Sequence, residues 1–177
     1  MIMNKILSIL TLMCIILPFN VNAQKINWLT FEEAIELNKA NPKKIFIDVY
    51  TDWCGWCTKM DQTTFTDSEV VEYMNENFYP VKLNAEQQEP IEYNGYTFKF
   101  IPQGRRGAHQ LAASLLQGKM SYPSYVFMNE EEKLITILPG YMKAPEFITI
   151  LEFIGSDSFL SMPFEEFKNK NTDTIKQ

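Results

Sequence analysis

The chain has 177 residues, 16 basic and 22 acidic side chains, and a formal net charge of −6. That negative surplus argues against nucleic acid and anionic membrane surfaces as partners. The length supports one domain with a sizeable core.

Residues 1–23 read as a signal peptide. Lys5 gives a positive start, Ile6 to Leu17 is a mostly apolar run, and Val21-Asn22-Ala23 is a small-residue exit. The run is too short for a spanning helix of about 20 residues. No stable membrane insertion is therefore expected after cleavage, and the chain is expected to be exported, periplasmic or secreted. Met13 stands where a lipoprotein signal needs a small residue, so Cys14 is not read as a lipid anchor. Cys14 leaves with the leader. Cys54 and Cys57 then remain, in a compartment that permits disulfides.

Thr30-Phe31-Glu32-Glu33 is a capping box that opens a helix, and Asn41-Pro42 stops it. Ile45 to Tyr50 is a β-branched, apolar run and reads as a buried strand. The segment Cys54-Gly55-Trp56-Cys57 then starts a helix that runs to about Gln62. Thr66-Asp67-Ser68-Glu69 reads as a second capping box, with its helix ending near Asn77. Phe78 to Asn84 is the next strand, with Pro80 near its start.

Ile91 to Phe100 has Asn94-Gly95 between alternating residues, a hairpin signal. Pro102 to Gly107 reads as a loop, and Ala108 to Leu116 as a helix ending near Gly118. Ser124 to Met128 and Lys133 to Leu138 form a hairpin around Glu130-Glu131-Glu132. Pro145 to Ile154 is a closing helix with proline in its first turn. Ser156 to Phe167 can add a short helix. Residues 169–177 read as a polar tail that frays. The order predicts an α/β fold: a central mixed β-sheet with helices on both faces, plus an inserted hairpin and helix.

The two cysteines carry the chemistry. A bridge between them closes a very small loop and removes little unfolded-state entropy, so the pair reads as reactive rather than as a staple. Zinc needs four ligands, or three and a water. There is no second CxxC, and the one histidine, His109, lies in the insertion, so no metal is expected. A CxxC at a helix start after a buried strand is the arrangement of a thiol–disulfide centre. Cys54 faces unpaired backbone N–H groups and reads as the nucleophile. Cys57, one turn further in, reads as the resolving thiol. Taken alone, Asp48 reads equally as a strand-end acid in water, and Lys82 as an edge charge.

Ile47 to Lys59, with Asp48, Trp53, Cys54 and Cys57, resembles the active-site strand and helix of the thioredoxin superfamily. Val81-Lys82-Leu83-Asn84 is similar to the next strand of that family. Ser121-Tyr122-Pro123-Ser124 is similar to its cis-proline loop, and Gly140 falls on the glycine before its last helix. The insertion and the run Thr63 to Asp67 resemble secreted thioredoxin-like proteins of Bacteroidetes-type bacteria. The likeness runs from about Phe31 to Ile154 and is interrupted by an insertion over 87–119. It places the domain at 24–168. Two departures stand out: Gly-Trp replaces the Gly-Pro of thioredoxin, and the interval from Lys82 to Pro123 is about twice the family's.

The resemblance implies that Asp48 is a buried acid that accepts a proton from Cys57, with Lys82 tuning it. It implies that Tyr122 and Pro123 present backbone groups to a substrate segment. Trp53 and Trp56 flank the thiols, either as packing, favoured for Trp53, or as an apolar docking rim. Tyr93, Tyr96, Phe98 and Phe100 read first as core and second as an extension of that rim. Arg105-Arg106 reads as a solvated loop, and His109 as a surface or half-buried polar residue.

The expected function is that of an exported thiol–disulfide oxidoreductase that reduces disulfides in other envelope proteins. No cofactor is expected beyond a redox-active Cys54–Cys57 disulfide. The expected partners are disulfide- or thiol-containing proteins and a membrane electron donor. A disulfide oxidase or isomerase is the alternative. A binding or chaperone-like module with vestigial or regulatory cysteines comes third.

Overall fold

The computed structural model describes residues 25–174. The expected signal peptide lies outside the described residues. Four strands form the central sheet: β1 (Lys44–Tyr50), β2 (Phe78–Asn84), β7 (Ser124–Met128) and β8 (Leu134–Pro139), in the order β2-β1-β7-β8. β1 and β2 are parallel, and the β1–β7 and β7–β8 pairs are antiparallel. The expected mixed sheet is therefore present.

Alternation along β1 divides the core. Ile45, Ile47 and Val49 face a layer made by α1 (Phe31–Ala40) and α4 (Gln110–Leu115), through Phe31, Ala34, Leu111 and Ala112. Phe46 faces the opposite layer of α2 (Gly55–Gln62), α3 (Ser68–Asn77) and α5 (Ala144–Gly155), through Met60, Met74, Phe147 and Leu151. Phe46 lies at the centre of an aromatic cluster, with ring centroids of Phe127 at 5.2 Å and of Tyr125 and Phe147 both at 5.8 Å.

Pro80 costs no ladder bond. The segment before α1 lies along the outer edge of β2, where Leu29 N donates to Pro80 O and Lys82 N donates to Leu29 O. A residue's N and O lie on the same side of a strand, so the nitrogen of Pro80 points away from β1.

Four elements differ from the sequence expectation. The cap of α3 is Asp67, not Thr66. The Asp67 carboxylate accepts from Glu69 N and Val70 N, while Thr66 spends its hydroxyl on Gln62 O and Thr63 O inside a short 3-10 turn, Thr64–Thr66. The insertion holds two hairpins rather than one. β3 (Ile91–Tyr93) and β4 (Tyr96–Phe98) turn at Asn94-Gly95, as expected. β5 (Phe100–Gln103) and β6 (Arg106–His109) occupy the stretch read as a loop. Gly107 makes this second pairing possible, because a Cβ there would run into the Phe100 ring.

Ala108 and His109 accordingly belong to a strand, and α4 starts at Gln110. His109 is fully buried, not at the surface, and its Nδ1 accepts from Leu111 N at 3.3 Å as the cap of α4. Burial pushes the imidazole down and keeps it neutral. Finally, α6 (Phe164–Thr174) continues through the region read as a fraying tail.

Cutting Phe46 to alanine empties the middle of the aromatic layer. Phe46→Ala should lower stability by about 3–5 kcal/mol. Urea unfolding should show a lower midpoint with an unchanged slope.

Candidate active site

The site begins where β1 ends. Cys54 N donates to Thr51 O at 3.1 Å, which closes the turn into α2. Cys54 is the cap residue of that helix, and its Sγ accepts from Cys57 N at 3.1 Å. The two cysteines are joined as a disulfide. Both cysteines are buried, Cys54 at 6% and Cys57 at 2% exposure.

Asp48 projects from the same face of β1 as Phe46, into the layer that holds α2. It is 1% exposed. Its Oδ2 accepts from Lys82 Nζ at 2.7 Å, across directly paired positions of β1 and β2. Its Oδ1 has no hydrogen-bond partner among the described residues. Burial pushes the carboxyl up to about 6, although Lys82 opposes the rise.

Lys82 has a second partner that sequence reasoning missed. Asp61 on α2 also pairs with its ammonium. The rings of Trp28, Tyr50 and Phe65 surround that ammonium at 4.9, 5.0 and 5.2 Å. Burial opposes the charge on Lys82, but Asp48 and Asp61 outweigh burial and hold the pKa above its ordinary value. Asp61 follows Cys57 by four residues, one helical turn, so the spacing could have flagged it. Tyr125, directly opposite Asp48 on β7, is buried, and burial together with nearby Asp48 keeps its hydroxyl protonated.

Around the cysteines stands an aromatic frame. Trp53 is 51% exposed rather than packed away, and Trp56 is 62% exposed. Tyr122 meets Trp53 edge-on at 5.9 Å, and Tyr141 meets Trp56 at 5.3 Å. The Tyr122–Pro123 peptide bond is cis. Gly140 N donates to Pro123 O at 2.8 Å, with Gly140 at φ 97°. That left-handed conformation favours glycine.

The insertion reaches this frame. The Arg106 guanidinium lies 4.1 Å over the Trp53 ring, and Trp53 Nε1 donates to Glu86 at 3.0 Å. No motif marks Arg106, because only the unexpected hairpin carries it there. Tyr93 instead packs edge-on against Phe31, and Phe98 borders the core, while Tyr96 is exposed. Among the described residues, no group of three or more His, Cys, Asp or Glu side chains is placed to hold a metal ion. No helix among them is long and apolar enough to cross a membrane.

Two outcomes test this geometry. The folded pKa of Asp48 lies above its unfolded value, so the native state holds the proton more tightly. Its contribution to stability is then complete at low pH and is lost between about pH 4 and 6. Asp48→Asn should therefore stabilise the protein at pH 7, by on the order of 2–3 kcal/mol, and should add little at pH 4. Denaturant unfolding at both pH values checks the sign. Separately, Arg106→Ala should raise acrylamide quenching of Trp53 and cost no more than about 1 kcal/mol of stability.

Residues 31–155 match the family described as thioredoxin-like domain. A Bacteroides thetaiotaomicron protein, solved in solution as a candidate disulphide-isomerase, is 26% identical with a TM-score of 0.54, covering 77% of this chain and 97% of that one. A thioredoxin-fold protein from Helicobacter pylori is 21% identical with a TM-score of 0.56, covering 77% of this chain and 84% of that one. Spermatogenesis-associated protein 20 of Rattus norvegicus is 31% identical over 67 residues, which is 38% of this chain and 8% of that protein. The chain spans about a tenth of the length of the curated relatives it matches.

Proposed function

The chain belongs to the thioredoxin-like domain family, and from that premise we propose that it is an exported thiol–disulfide oxidoreductase that reduces disulfides of other envelope proteins. The observation that carries the reading is the Cys54–Cys57 disulfide at the start of α2, a helix tied through Asp61 and Lys82 to a buried carboxyl. Export rests on the leader read in residues 1–23.

The cycle starts from the dithiol. The Cys54 thiolate attacks one sulfur of a substrate disulfide. The Cys54–substrate bond forms, and the other substrate sulfur leaves as a thiolate. Cys57 then attacks Cys54. Its thiol proton passes to the Asp48 carboxylate, the Cys54–Cys57 bond forms, and the second substrate sulfur leaves with the electron pair. The substrate gains two electrons and the enzyme leaves oxidised. A dithiol donor in the membrane returns two electrons and two protons. With Asp48 titrating near 6, most of it is ionised at neutral pH and ready to accept that proton.

Trp53, Trp56, Tyr122 and Pro123 form the docking rim in this reading. Both tryptophans are exposed, and Pro123 offers no N–H of its own. A second reading is disulfide isomerisation. It is supported by the description of the Bacteroides thetaiotaomicron structure.

The reduction potential of the pair, equilibrated against glutathione, separates the two. A value near the reductase end supports donation, and one near the oxidase end reverses it. Insulin reduction with dithiothreitol as donor should proceed with wild type and drop to the uncatalysed rate with Cys54→Ser. Cys57→Ser should trap substrates as mixed disulfides on Cys54. Trapping by Cys54→Ser instead would exchange the two roles.

A further inference from the structure

One ammonium joins a carboxylate of β1 to a carboxylate of α2, the helix that carries Cys57. Lys82 Nζ pairs with buried Asp48 at 2.7 Å and with Asp61 on α2, which is 45% exposed at its side chain. Lys82 itself is 20% exposed at its side chain and otherwise boxed by Trp28, Tyr50 and Phe65. The chain of contacts therefore runs from the interior to solvent: Asp48, Lys82, Asp61.

Consider this trio as a proton reaches Asp48. With both acids ionised, its net charge is negative. With Asp48 protonated, the Lys82–Asp61 pair remains and the trio is neutral. If Asp61 carried no charge, protonating Asp48 would leave Lys82 facing only aromatic rings, an uncompensated cation in a half-buried site. Asp61 also competes with Asp48 for the same ammonium, and its negative charge repels a second carboxylate nearby. All three effects favour the protonated form of Asp48.

The other groups facing Asp48 do not compete. Tyr125 from β7 and Tyr50 at the end of β1 both have raised pKa values, chiefly through burial, and stay neutral where Asp48 titrates. Asp52 acts on Tyr50, and its side chain is hydrogen-bonded to Asn84.

We propose that Asp61 is a positioning residue of the redox site: it holds Lys82 from the solvent side, so that buried Asp48 can take and release the Cys57 proton without leaving that lysine unpaired. The inference rests on the reading of Cys57 as the resolving thiol. Asp61 touches neither sulfur nor substrate in this role.

The test separates the two claims. The Asp48 carboxyl is followed by carbon NMR in the oxidised, full-length protein, where no turnover is needed. In Asp61→Asn its midpoint should move to lower pH, by about half a unit or more. Asp61→Glu should restore it toward the wild-type value. The acid limb of the pH profile for insulin reduction should move the same way. An Asp61→Asn midpoint at or above the wild-type value overturns the proposal, whatever the turnover. Absence of insulin reduction by wild type would sink the redox reading, while the titration still decides the place of Asp61.

Discussion

Asp48 sits at 1% exposure between two strands, and a carboxylate so placed must find a cation or surrender its charge. The fold supplies a cation but not enough of one. Lys82 is directly opposite on β2, yet it is shared with Asp61. The outcome is a carboxyl poised near 6 rather than locked in either form. A fully committed lysine would drive it down, and no lysine would drive it further up. The shared partner is what leaves it able to exchange a proton near neutral pH.

That poise depends on packing some distance from the sulfurs. Lys82 is fixed because β2 is fixed, and β2 is covered on its outer edge by the segment that carries Trp28 and Leu29. Trp28 in turn packs edge-on against Phe65 at 5.1 Å, and Phe65 belongs to the short turn between α2 and α3. The aromatic box around Lys82 is thus drawn from three places in the chain. Thr64 adds a tie, its hydroxyl donating to Met142 O at 2.6 Å just before α5. The electrostatics at the site are a property of this whole layer.

Local signals were legible in the sequence. The capping box at Thr30, the buried run from Ile45, the CxxC and the Asn-Gly turn each act over a few residues, and each appears where its chemistry puts it. The Asp48–Lys82 pair was visible only through the family resemblance, since strand register decides which residues meet. Asp61 was in principle readable from its one-turn spacing to Cys57, but its value depends on where Lys82 points. Arg106 was unreadable. Its position over Trp53 requires the β5–β6 hairpin, whose Gly104-Arg105 turn lies in a stretch with Pro102 and two arginines that reads as loop. His109 shows the same limit: a polar residue at a strand end is buried, and its ring caps the next helix.

The two sulfurs are governed by different physics, and Trp56 matters to only one of them. Cys54 caps α2, and Cys57 N donates to its sulfur at the positive end of the helix dipole. A proline at position 56 would remove a backbone N–H from the first turn of α2, whereas tryptophan keeps it. An extra donor stabilises a Cys54 thiolate, favours the dithiol over the disulfide and weakens the dithiol as a reductant. In the proposed cycle Asp48 acts on the other sulfur, easing loss of the Cys57 proton and speeding closure of the internal disulfide. In that cycle donation to substrates draws on the buried carboxyl, and exchange in the opposite sense draws on the helix start. Because Asp48 responds to pH near 6 and the backbone donors do not respond at all, the balance between these two proposed tendencies shifts with pH.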